Sequence, residues 1–524
     1  VVSPGSRSTP LVLASERLRR YPITDERSAG FFALGLARES GRPIALLCTS
    51  GSAPAHYLPA LMEADHAGIC LVAITADRPS RLLGRGANQT TDQRRLFGRF
   101  AEPAVDLGDP HGDPTVAAET VARAVAEGVA SRTPVHLNVR FDKPLEPPID
   151  FDPAIAPVAR VDVDLPALDL SAVSDAATLI GRAHRGLIVC GPAGPEARTA
   201  RTSLQALARI TGFPVFAEAC SQLRFGAADP ADGLGWLLSQ GAVDLDLVVQ
   251  VGAAPVHPIA TDAPHVMICS RGTPDPQSRG QCFVRGPLAE SLSAVAAACR
   301  ETNTGEWRQE IEGLNRGIWQ AVDSHRGDPA SEPEAVRAAV RAVPSDAVLQ
   351  LGNSLPVRLV DRFCRSADCR SDVSSQRGLS GIDGAIAQAL GTAAAGRAVV
   401  ALLGDVTAQH DLASLALARH AEGPVVLVVL DNGGGRIFDS LPVANHPLGH
   451  EHLREFFTTT PPFDIGRVAD AMGVAVERPS SAGELARTIE GAATRSGCTL
   501  VHMRVEPSSA SRSMQQIDAT LGMS

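Results

Sequence analysis

The chain has 524 residues, of which 44% are apolar and 20% charged, and its formal net charge is −10. The length is enough for about three globular domains. No apolar run approaches the ~20 residues of a membrane-spanning helix. The acidic balance, with basic residues dispersed along the chain, argues against a nucleic-acid-binding protein.

The cysteine and lysine content indicates the cellular compartment and argues against two classes of protein. Ten cysteines are scattered without a Cys-x-x-Cys pair, mostly in apolar runs, which indicates buried free thiols in a reducing cytoplasm. Lys143 is the only lysine, and it ends a predicted strand before a proline. A Schiff-base enzyme needs a placed lysine and a P-loop needs Gly-Lys-Ser/Thr, so the sequence argues against both. The chain begins inside a predicted strand without a signal peptide, so we expect further natural residues before Val1.

The first part of the chain alternates predicted strands and helices. Repeated strand–turn–helix units predict a doubly wound parallel sheet, and therefore an α/β domain, over residues 1–150. The strands are expected at 44–48, 69–75 and 135–139, and the helices at 28–39 and 116–130.

Two further α/β units follow a linker. Residues 142–165 are rich in proline and aspartate, a composition typical of linkers. Further strands are expected at 186–190, 214–216, 245–251, 347–351 and 499–505. The polar segment 270–285 has no clear pattern. We therefore predict three doubly wound parallel-sheet domains, at 1–150, 151–335 and 336–524.

The stretch 398–442 carries the most chemical information. Its two apolar runs, 398–403 and 424–430, predict buried parallel strands joined by a crossover helix. Asp405 and Asn432 follow the two strands, so we expect them at one edge of the sheet, where α/β proteins bind ligands. Their oxygens suit Mg²⁺, and the glycines at 433–435 allow a phosphate to approach the backbone. An ordinary strand–helix–strand unit with acidic turns is the alternative.

This stretch resembles the thiamin-diphosphate motif. In that motif Gly-Asp-Gly is followed, after a spacer of similar length, by Asn-Asn. Here Val406 stands where the motif has its second glycine, and Asp431 where it has its first asparagine. A dinucleotide-binding loop at 433–435 is less favoured because the required G-x-G-x-x-G does not follow.

Several other segments resemble one family of thiamin-diphosphate enzymes, the 2-succinyl-5-enolpyruvyl-6-hydroxy-3-cyclohexene-1-carboxylate synthases (the MenD family). The similarity covers both outer domains in order and is weak in the middle domain. It implies a pyrimidine-binding domain at 1–150 that lacks its N-terminal helix, a middle domain at 151–335 and a diphosphate-binding domain at 336–524. The matching segments are SPGSRSTPL (3–11), DER (25–27), TSG (49–51), TADRP (75–79), GANQ (86–89), GNSLPVR (352–358) and RGLSGIDG (377–384).

The resemblance implies a transferase of menaquinone biosynthesis. Such an enzyme decarboxylates 2-oxoglutarate and adds the succinyl-semialdehyde unit to isochorismate, with thiamin diphosphate and Mg²⁺ or Mn²⁺ as cofactors. Its active site is shared between subunits, so at least a dimer is expected, and the family suggests a cytoplasmic tetramer. The alternatives are another thiamin-diphosphate decarboxylase or carboligase of the acetolactate-synthase type, and a non-catalytic scaffold that keeps the fold.

The resemblance also assigns the cofactor site. Glu26 would be the catalytic residue, a carboxyl in an apolar pocket that hydrogen-bonds N1′ of the aminopyrimidine so that the 4′-imino form removes the C2 proton. Without the resemblance Glu26 would be an exposed acid at a helix N-terminus. Asp405, Asn432 and the Gly434 carbonyl would bind the metal, and Ile382 would support the bent cofactor or pack in the core. The remaining cofactor contacts would be Ser50, Gly51, Asn353 and Gly404.

Arginines fit the two dicarboxylate substrates, because arginine binds carboxylates bidentately. Surface ion pairing is the alternative for any one of them. By resemblance the anion-binding positions are Arg7, Arg78, Arg358 and Arg377, the hydrogen-bonding positions are Ser6, Gln89 and Ser354, and the pocket-lining positions, if not core, are Ile437 and Phe438.

The middle domain departs from the family at one point. In the family a basic pair from this domain reaches the substrate, whereas the corresponding segment here, VGAAPVHP at 251–258, has no arginine or lysine. Either Arg271 or another residue substitutes, or the contact is absent. The middle domain also lacks a dinucleotide fingerprint, so no flavin is expected.

Overall fold

A computed structural model of the protein describes residues 1–109, 114–147, 161–163, 167–226, 231–302, 304–447 and 452–523. The chain divides into two compact units. The first unit comprises Val1–Leu165, Asp383–Arg397 and Asp411–Gly423, and the second comprises Pro166–Ile382, Ala398–His410 and Pro424–Ser524.

Strands and helices alternate along most of the described chain. The strands are β1 Ile44–Cys48, β2 Leu71–Asp77, β3 Ala104–Asp106, β4 Val135–Arg140, β5 Gly186–Cys190, β6 Val215–Ala217, β7 Leu247–Val251, β8 His265–Cys269, β9 Gly280–Arg285, β10 Val348–Leu351, β11 Asp372–Ser375, β12 Val399–Gly404, β13 Pro424–Asp431, β14 Ala475–Glu477 and β15 Gly497–Arg504.

The helices lie between these strands and at both ends of the described chain. They are α1 Thr9–Ala14, α2 Glu26–Ser40, α3 Leu58–Ala67, α4 Pro114–Ser131, α5 Leu170–Arg182, α6 Arg201–Thr211, α7 Gly235–Leu238, α8 Leu288–Ala298, α9 Gly305–Ser324, α10 Glu332–Arg341, α11 Leu355–Phe363, α12 Ala385–Ala394, α13 Asp405–His410, α14 Ile465–Ala471, α15 Ala482–Ala492 and α16 Ser509–Thr520. In the part of the chain described, no helix has the length and apolar character needed to cross a membrane.

The sheet of the first unit has four strands in the order β1-β2-β4-β3, and all neighbours are parallel. Val2 lies beside this sheet, bridged to Leu47 and Pro22. Because the strands are parallel, their carboxyl ends share one edge. The loops that follow β1 and β2, at 49–51 and 78–79, therefore lie at the same edge of the sheet.

Helices α2 and α12 of the first unit cross closely through small residues. A Cβ atom on Gly35 would lie 2.1 Å from the Gln388 carbonyl oxygen, and one on Gly391 would lie 2.0 Å from that of Phe32. Only glycine leaves room for such backbone-to-backbone contact. This crossing explains why α12, although late in sequence, belongs to the first unit.

The second unit contains two parallel sheets. One has the order β6-β5-β7-β8-β9 and the other β11-β10-β12-β13-β15-β14. Residues 425–430 of β13 are all buried, because β13 lies between β12 and β15 and a parallel sheet is covered on both faces. Each of the three sheets falls within one predicted domain range, and the α/β parallel-sheet class is confirmed. The domain boundaries themselves stay a prediction.

Candidate functional site

The predicted metal site lies at the carboxyl ends of two neighbouring strands of the second unit. Strands β12 and β13 pair in parallel, with Gly404 opposite Leu430. Asp405 begins α13 directly after β12, and Asn432 directly follows β13. The predicted placement of both side chains at one edge of the sheet is confirmed.

Asp405 is buried and held by backbone amides. Its Oδ1 accepts a hydrogen bond from the Val406 N–H at 2.8 Å, and its Oδ2 accepts one from the Gly434 N–H at 2.7 Å. Burial raises the pKa of Asp405, and the neighbouring charge of Asp431 adds to this. Asp431 is an acceptor for His502 Nε2 at 3.0 Å, and this bond lowers the pKa of Asp431.

Asn432 presents a buried oxygen without a partner. Its Nδ2 lies 3.1 Å from both carboxylate oxygens of Glu332, so the amide nitrogen is fully engaged. Its Oδ1 is buried and meets no hydrogen-bond partner among the described residues. Such an acceptor is costly unless something binds it. A divalent cation that prefers oxygen ligands would satisfy Asn432 Oδ1. It would also relieve the repulsion between Asp405 and Asp431.

The glycines that follow Asn432 are held tightly against Thr458. Gly434 has φ +120°, and a Cβ atom there would lie 2.1 Å from the Thr458 carbonyl oxygen, so the position requires glycine. The Gly435 N–H donates to the same oxygen at 2.6 Å. The Gly434 carbonyl, the predicted third metal ligand, accepts from the Arg436 N–H at 2.8 Å. A carbonyl oxygen has two lone pairs, so this hydrogen bond leaves one of them for a metal ion. Metal ligation by Gly434 stays a prediction.

Glu26 is the first residue of α2 in the first unit, directly after the N-cap Asp25. Its carboxyl is half-buried, and burial raises its pKa, while the nearby His56 opposes that shift. The Glu26 charge in turn adds to the raised pKa values of Cys48 and Tyr57, which burial dominates. Burial therefore shifts the pKa of Glu26 in the direction that the predicted role requires, and the role itself stays a prediction.

Ser50 and Gly51 are tied to the loop that carries Gln89. Ser50 Oγ donates to the Gln89 carbonyl at 3.0 Å, and Gln89 Nε2 returns a bond to the Ser50 carbonyl at 2.9 Å. The Gly51 N–H donates to Oε1 of the buried Gln93 at 3.0 Å. The Gln89 side chain thus holds the loop that follows β1, and its predicted substrate contact is untested.

Arg7 and Arg78 form a partly buried pair of like charges in the first unit. Arg7 Nη1 donates to the Phe141 carbonyl at 2.7 Å. Burial lowers the Arg7 pKa, and the charge of Arg78 lowers it further. The Nε atoms of both arginines are buried without a hydrogen-bond partner in the described part of the chain. An anion would satisfy these donors, whereas the neighbouring Ser6 is exposed and begins a 3₁₀ turn.

Arg358 and Arg377 form a second pair, in the second unit. Arg358 Nη1 donates to the Ser354 carbonyl at 2.7 Å, and Arg377 Nη1 donates to Asn353 Oδ1 at 2.9 Å. Asn353 Nδ2 donates to the carbonyls of Gln376 and Gly381, so this side chain braces the loop that carries Arg377. Ser354 has φ +69° and precedes α11.

The three predicted apolar positions differ in their surroundings. Ile437 packs against the buried core of the second unit, which favours the core interpretation for this residue. The Phe438 ring stands edge-on to Phe457, with centroids 5.3 Å apart. Ile382 is half-buried, as a residue touching a ligand would be. Their contacts with cofactor or substrate stay predictions.

Sequence reasoning missed the residues that hold these groups in place. Glu332 binds Asn432, His502 binds Asp431, and Gln93 binds Gly51. Glu332 and His502 are far from their partners in sequence, so no local pattern indicates either contact. Gln93 lies only four positions after Gln89, but its complete burial is visible only in the folded structure.

Comparison with known proteins identifies two domains of the chain. Residues 1–96 match the N-terminal TPP-binding domain of thiamine pyrophosphate (TPP) enzymes. Residues 357–503 match the C-terminal TPP-binding domain of the same enzymes. A solved structure of benzoylformate decarboxylase from Polynucleobacter necessarius superposes with a TM-score of 0.74, at 17% identity over 96% of this chain and 95% of that chain, which shows the shared fold.

Relatives with higher sequence identity indicate the family more narrowly than the domain matches do. The 2-succinyl-5-enolpyruvyl-6-hydroxy-3-cyclohexene-1-carboxylate synthase of Sorangium cellulosum is 39% identical over 97% of this chain and 90% of its own length. The synthase of the same name from Myxococcus xanthus is 34% identical over 97% of this chain and 91% of its own. This protein therefore belongs to the 2-succinyl-5-enolpyruvyl-6-hydroxy-3-cyclohexene-1-carboxylate synthase family of thiamin-diphosphate enzymes.

Proposed function

We propose that the protein catalyses the decarboxylation of 2-oxoglutarate and the addition of the resulting four-carbon unit to isochorismate, as a transferase of menaquinone biosynthesis. The observation that carries this proposal is the 39% identity with a synthase of that name over 97% of the chain. The paired arginines support it, because each of the two substrates carries two carboxylates.

Asp405, Asn432 and the Gly434 carbonyl would hold Mg²⁺ or Mn²⁺, and through it the diphosphate of thiamin diphosphate. The unpartnered Asn432 Oδ1 and the buried Asp405 carboxylate support this assignment. Gly404 ends β12 directly before Asp405, and Ser50, Gly51, Asn353 and Ile382 are the further proposed cofactor contacts. When bound, the cofactor would supply a nucleophilic carbon and an electron sink for the decarboxylation.

Glu26 would hold a proton at the aminopyrimidine N1′. A carboxyl can share a proton at neutral pH only when its pKa is raised, and burial of Glu26 acts in that direction. We propose that Glu26 of one copy serves the cofactor held by Asp405 and Asn432 of a second copy. The functional protein is then at least a dimer, and we propose a dimer of dimers.

The two arginine pairs would divide the substrate carboxylates between them. Arg7 and Arg78 offer buried, unsatisfied Nε donors, as Arg377 does in the other pair. Ser6, Gln89 and Ser354 would add hydrogen bonds, and Ile437 and Phe438 would exclude water. We propose a cytoplasmic location, supported by ten cysteines that are all free thiols.

Substrate profiling tests this proposal. Purified protein with thiamin diphosphate and Mg²⁺ should release CO₂ from 2-oxoglutarate in the presence of isochorismate, and it should not turn over pyruvate at a comparable rate. The opposite preference, for pyruvate over 2-oxoglutarate, would favour an acetolactate-synthase type of reaction instead.

A further inference from the structure

Three buried polar side chains from three separate elements meet in the second unit. Glu218 follows β6, His257 lies in the segment after β7, and Asp361 is on α11. Their nearest ligand atoms all lie within 4.8 Å of one another. His257 Nδ1 is 3.4 Å from Glu218 Oε1 and 3.8 Å from Asp361 Oδ2. None of these residues has a role in the function proposed above.

Both carboxylates of this cluster are fixed by the backbone. Glu218 accepts hydrogen bonds from the N–H groups of Val256 at 2.8 Å and His257 at 2.9 Å. Asp361 Oδ1 accepts one from the Ala219 N–H at 2.7 Å. Asp361 Oδ2 is buried and has no hydrogen-bond partner among the described residues. Within the described part of the chain, the hydrogen bonds of the cluster therefore leave one buried acceptor, Asp361 Oδ2, unused.

The second arginine pair neighbours this cluster. Arg358 lies three residues before Asp361 on α11, and side chains three apart on a helix are neighbours on its surface. Burial and the neighbouring Arg377 charge lower the pKa of Arg358, while Glu218 and Asp361 act in the opposite direction. The two guanidinium groups are half-buried and repel each other, and nearby buried carboxylates offset that repulsion. The acid pair thus favours keeping both arginines in place.

A metal ion is the other ligand that a Glu–His–Asp cluster could take. The surroundings disfavour it, because the fully buried Arg224 places Nη1 4.0 Å from Asp361 Oδ1. With Arg358, Arg362 and Arg377 nearby as well, the two carboxylates already have four positive neighbours. An added dication would meet net repulsion rather than attraction.

We propose that Asp361 and Glu218, braced by His257, are positioning residues that hold Arg358 and Arg377 ready for a substrate carboxylate. This inference rests on the proposed function, since it assumes that the arginines bind a dicarboxylate. It also explains how residues 251–258 serve the site without an arginine or lysine. Their backbone amides fix Glu218, and their histidine stands between the two acids, so this segment acts through the arginines.

Asp361→Asn tests the proposal with little change in shape. Asparagine can keep its oxygen on the Ala219 N–H and place its amide nitrogen where the unpartnered Oδ2 lies. The KM for at least one of 2-oxoglutarate and isochorismate should rise about tenfold, which corresponds to about 1.4 kcal/mol of lost binding. The kcat should change much less, and the affinity for thiamin diphosphate with Mg²⁺ should be unchanged. Glu218→Gln removes the other charge and gives a second, independent measurement.

A double-mutant cycle distinguishes positioning from a general structural effect. If Asp361 acts through Arg358, Asp361→Asn should have almost no further effect on KM in an Arg358→Gln background. Asp232→Asn is the matched control, because Asp232 is a buried acid that accepts from Ser366 N–H and Trp319 Nε1 instead. Its KM values should equal those of the wild type.

Three outcomes would overturn the positioning role. They are unchanged KM values for both dicarboxylates in Asp361→Asn and Glu218→Gln, additive effects in the cycle, or stoichiometric Zn²⁺ binding that Asp361→Asn abolishes. Wild-type turnover is measured first. If the wild type does not use 2-oxoglutarate with isochorismate, the proposed function fails, whereas normal wild-type turnover with unaltered variants contradicts the positioning role alone.

Discussion

The Asn432 amide nitrogen lies 3.1 Å from each carboxylate oxygen of Glu332, and this double contact decides which way the carboxamide faces. With the nitrogen held by an acid, the Asn432 oxygen is the atom left for a metal ion. In the Glu332→Gln variant, the Asn432 side-chain amide can rotate and present its nitrogen to the metal site instead. We expect the Kd for Mn²⁺, measured by electron paramagnetic resonance with thiamin diphosphate present, to rise about 10- to 100-fold, as is typical when a residue supporting a metal ligand is lost.

Glu334→Gln is the matched control for Glu332→Gln. Glu334 lies on the same helix α10 but its carboxylate is 3.9 Å from Arg337 rather than near Asn432. This variant should bind Mn²⁺ as the wild type does. Equal Mn²⁺ affinity in both variants would show that Glu332 does not orient the metal ligand.

Asp405→Ala removes a proposed ligand outright. Because the metal would hold the diphosphate, we expect the variant to lose Mg²⁺-dependent binding of thiamin diphosphate, as measured by titration calorimetry. Glu477→Ala, which removes an acid from the edge strand β14 of the same sheet, should bind normally. Tight Mg²⁺-dependent binding by Asp405→Ala would rule out its role as a ligand.

Glu26→Gln removes the proposed proton-sharing carboxyl and keeps its size. We expect exchange of the cofactor C2 proton, followed by proton NMR in D₂O, to slow by about 10²- to 10⁴-fold, the usual contribution of general acid–base catalysis. Binding of the cofactor should be affected far less. The exposed Glu16→Gln serves as control, and an unchanged exchange rate in Glu26→Gln would refute the mechanism.

The edge of the sheet that carries Asp405 and Asn432 could be predicted from the sequence because the signal is local. Each residue directly follows a short apolar run, and parallel strands bring such ends together. Glu332 and His502 carry no comparable signal, since they reach Asn432 and Asp431 only through the folded chain. The family resemblance identified the four arginines as candidate substrate contacts. It could not indicate that Glu218 and Asp361 are buried near Arg358.

Segments without a clear hydrophobic periodicity could not be assigned from the sequence. Residues 270–285 showed no periodicity, yet they contain the strand β9, which is an edge strand and therefore does not need a continuous apolar run. Helix α12 falls in the range predicted for the third domain, 336–524. Its place in the first unit depends on the close crossing with α2, which only the contacts of Gly35 and Gly391 reveal.

Gly35→Ala tests that helix crossing. The added methyl group would lie 2.1 Å from the Gln388 carbonyl oxygen, so the two backbones must separate. We expect a loss of about 1–3 kcal/mol in the free energy of unfolding, measured with urea. Gly313→Ala on α9 meets nothing within 4 Å and should be neutral or slightly stabilising. Equal behaviour of the two variants would contradict the close crossing.

Asp411 predicts a pH dependence of stability. It accepts hydrogen bonds from Ser414 Oγ at 2.6 Å and the Ala387 N–H at 2.9 Å, and burial raises its pKa from 3.8 to about 6. Between these values the folded state binds more protons than the unfolded state, so stability falls as the pH rises. This contribution should amount to on the order of 1–3 kcal/mol.

Asp411→Asn removes the titrating group, although it also loses one acceptor. The free energy of unfolding of the wild type, minus that of the variant, should therefore decrease as the pH rises from about 4 to about 7. Urea unfolding at several pH values measures this difference. A difference that is constant with pH would show that Asp411 titrates normally in the folded protein.

The most direct test of the proposed function is identification of the product. The purified protein is incubated with 2-oxoglutarate and isochorismate, with and without thiamin diphosphate and Mg²⁺, and the mixture is analysed by mass spectrometry. We predict one adduct that contains isochorismate and the four-carbon unit of 2-oxoglutarate, formed with an equimolar amount of CO₂ only when the cofactors are present. Release of CO₂ without the adduct, or an adduct formed from pyruvate instead, would contradict the proposal.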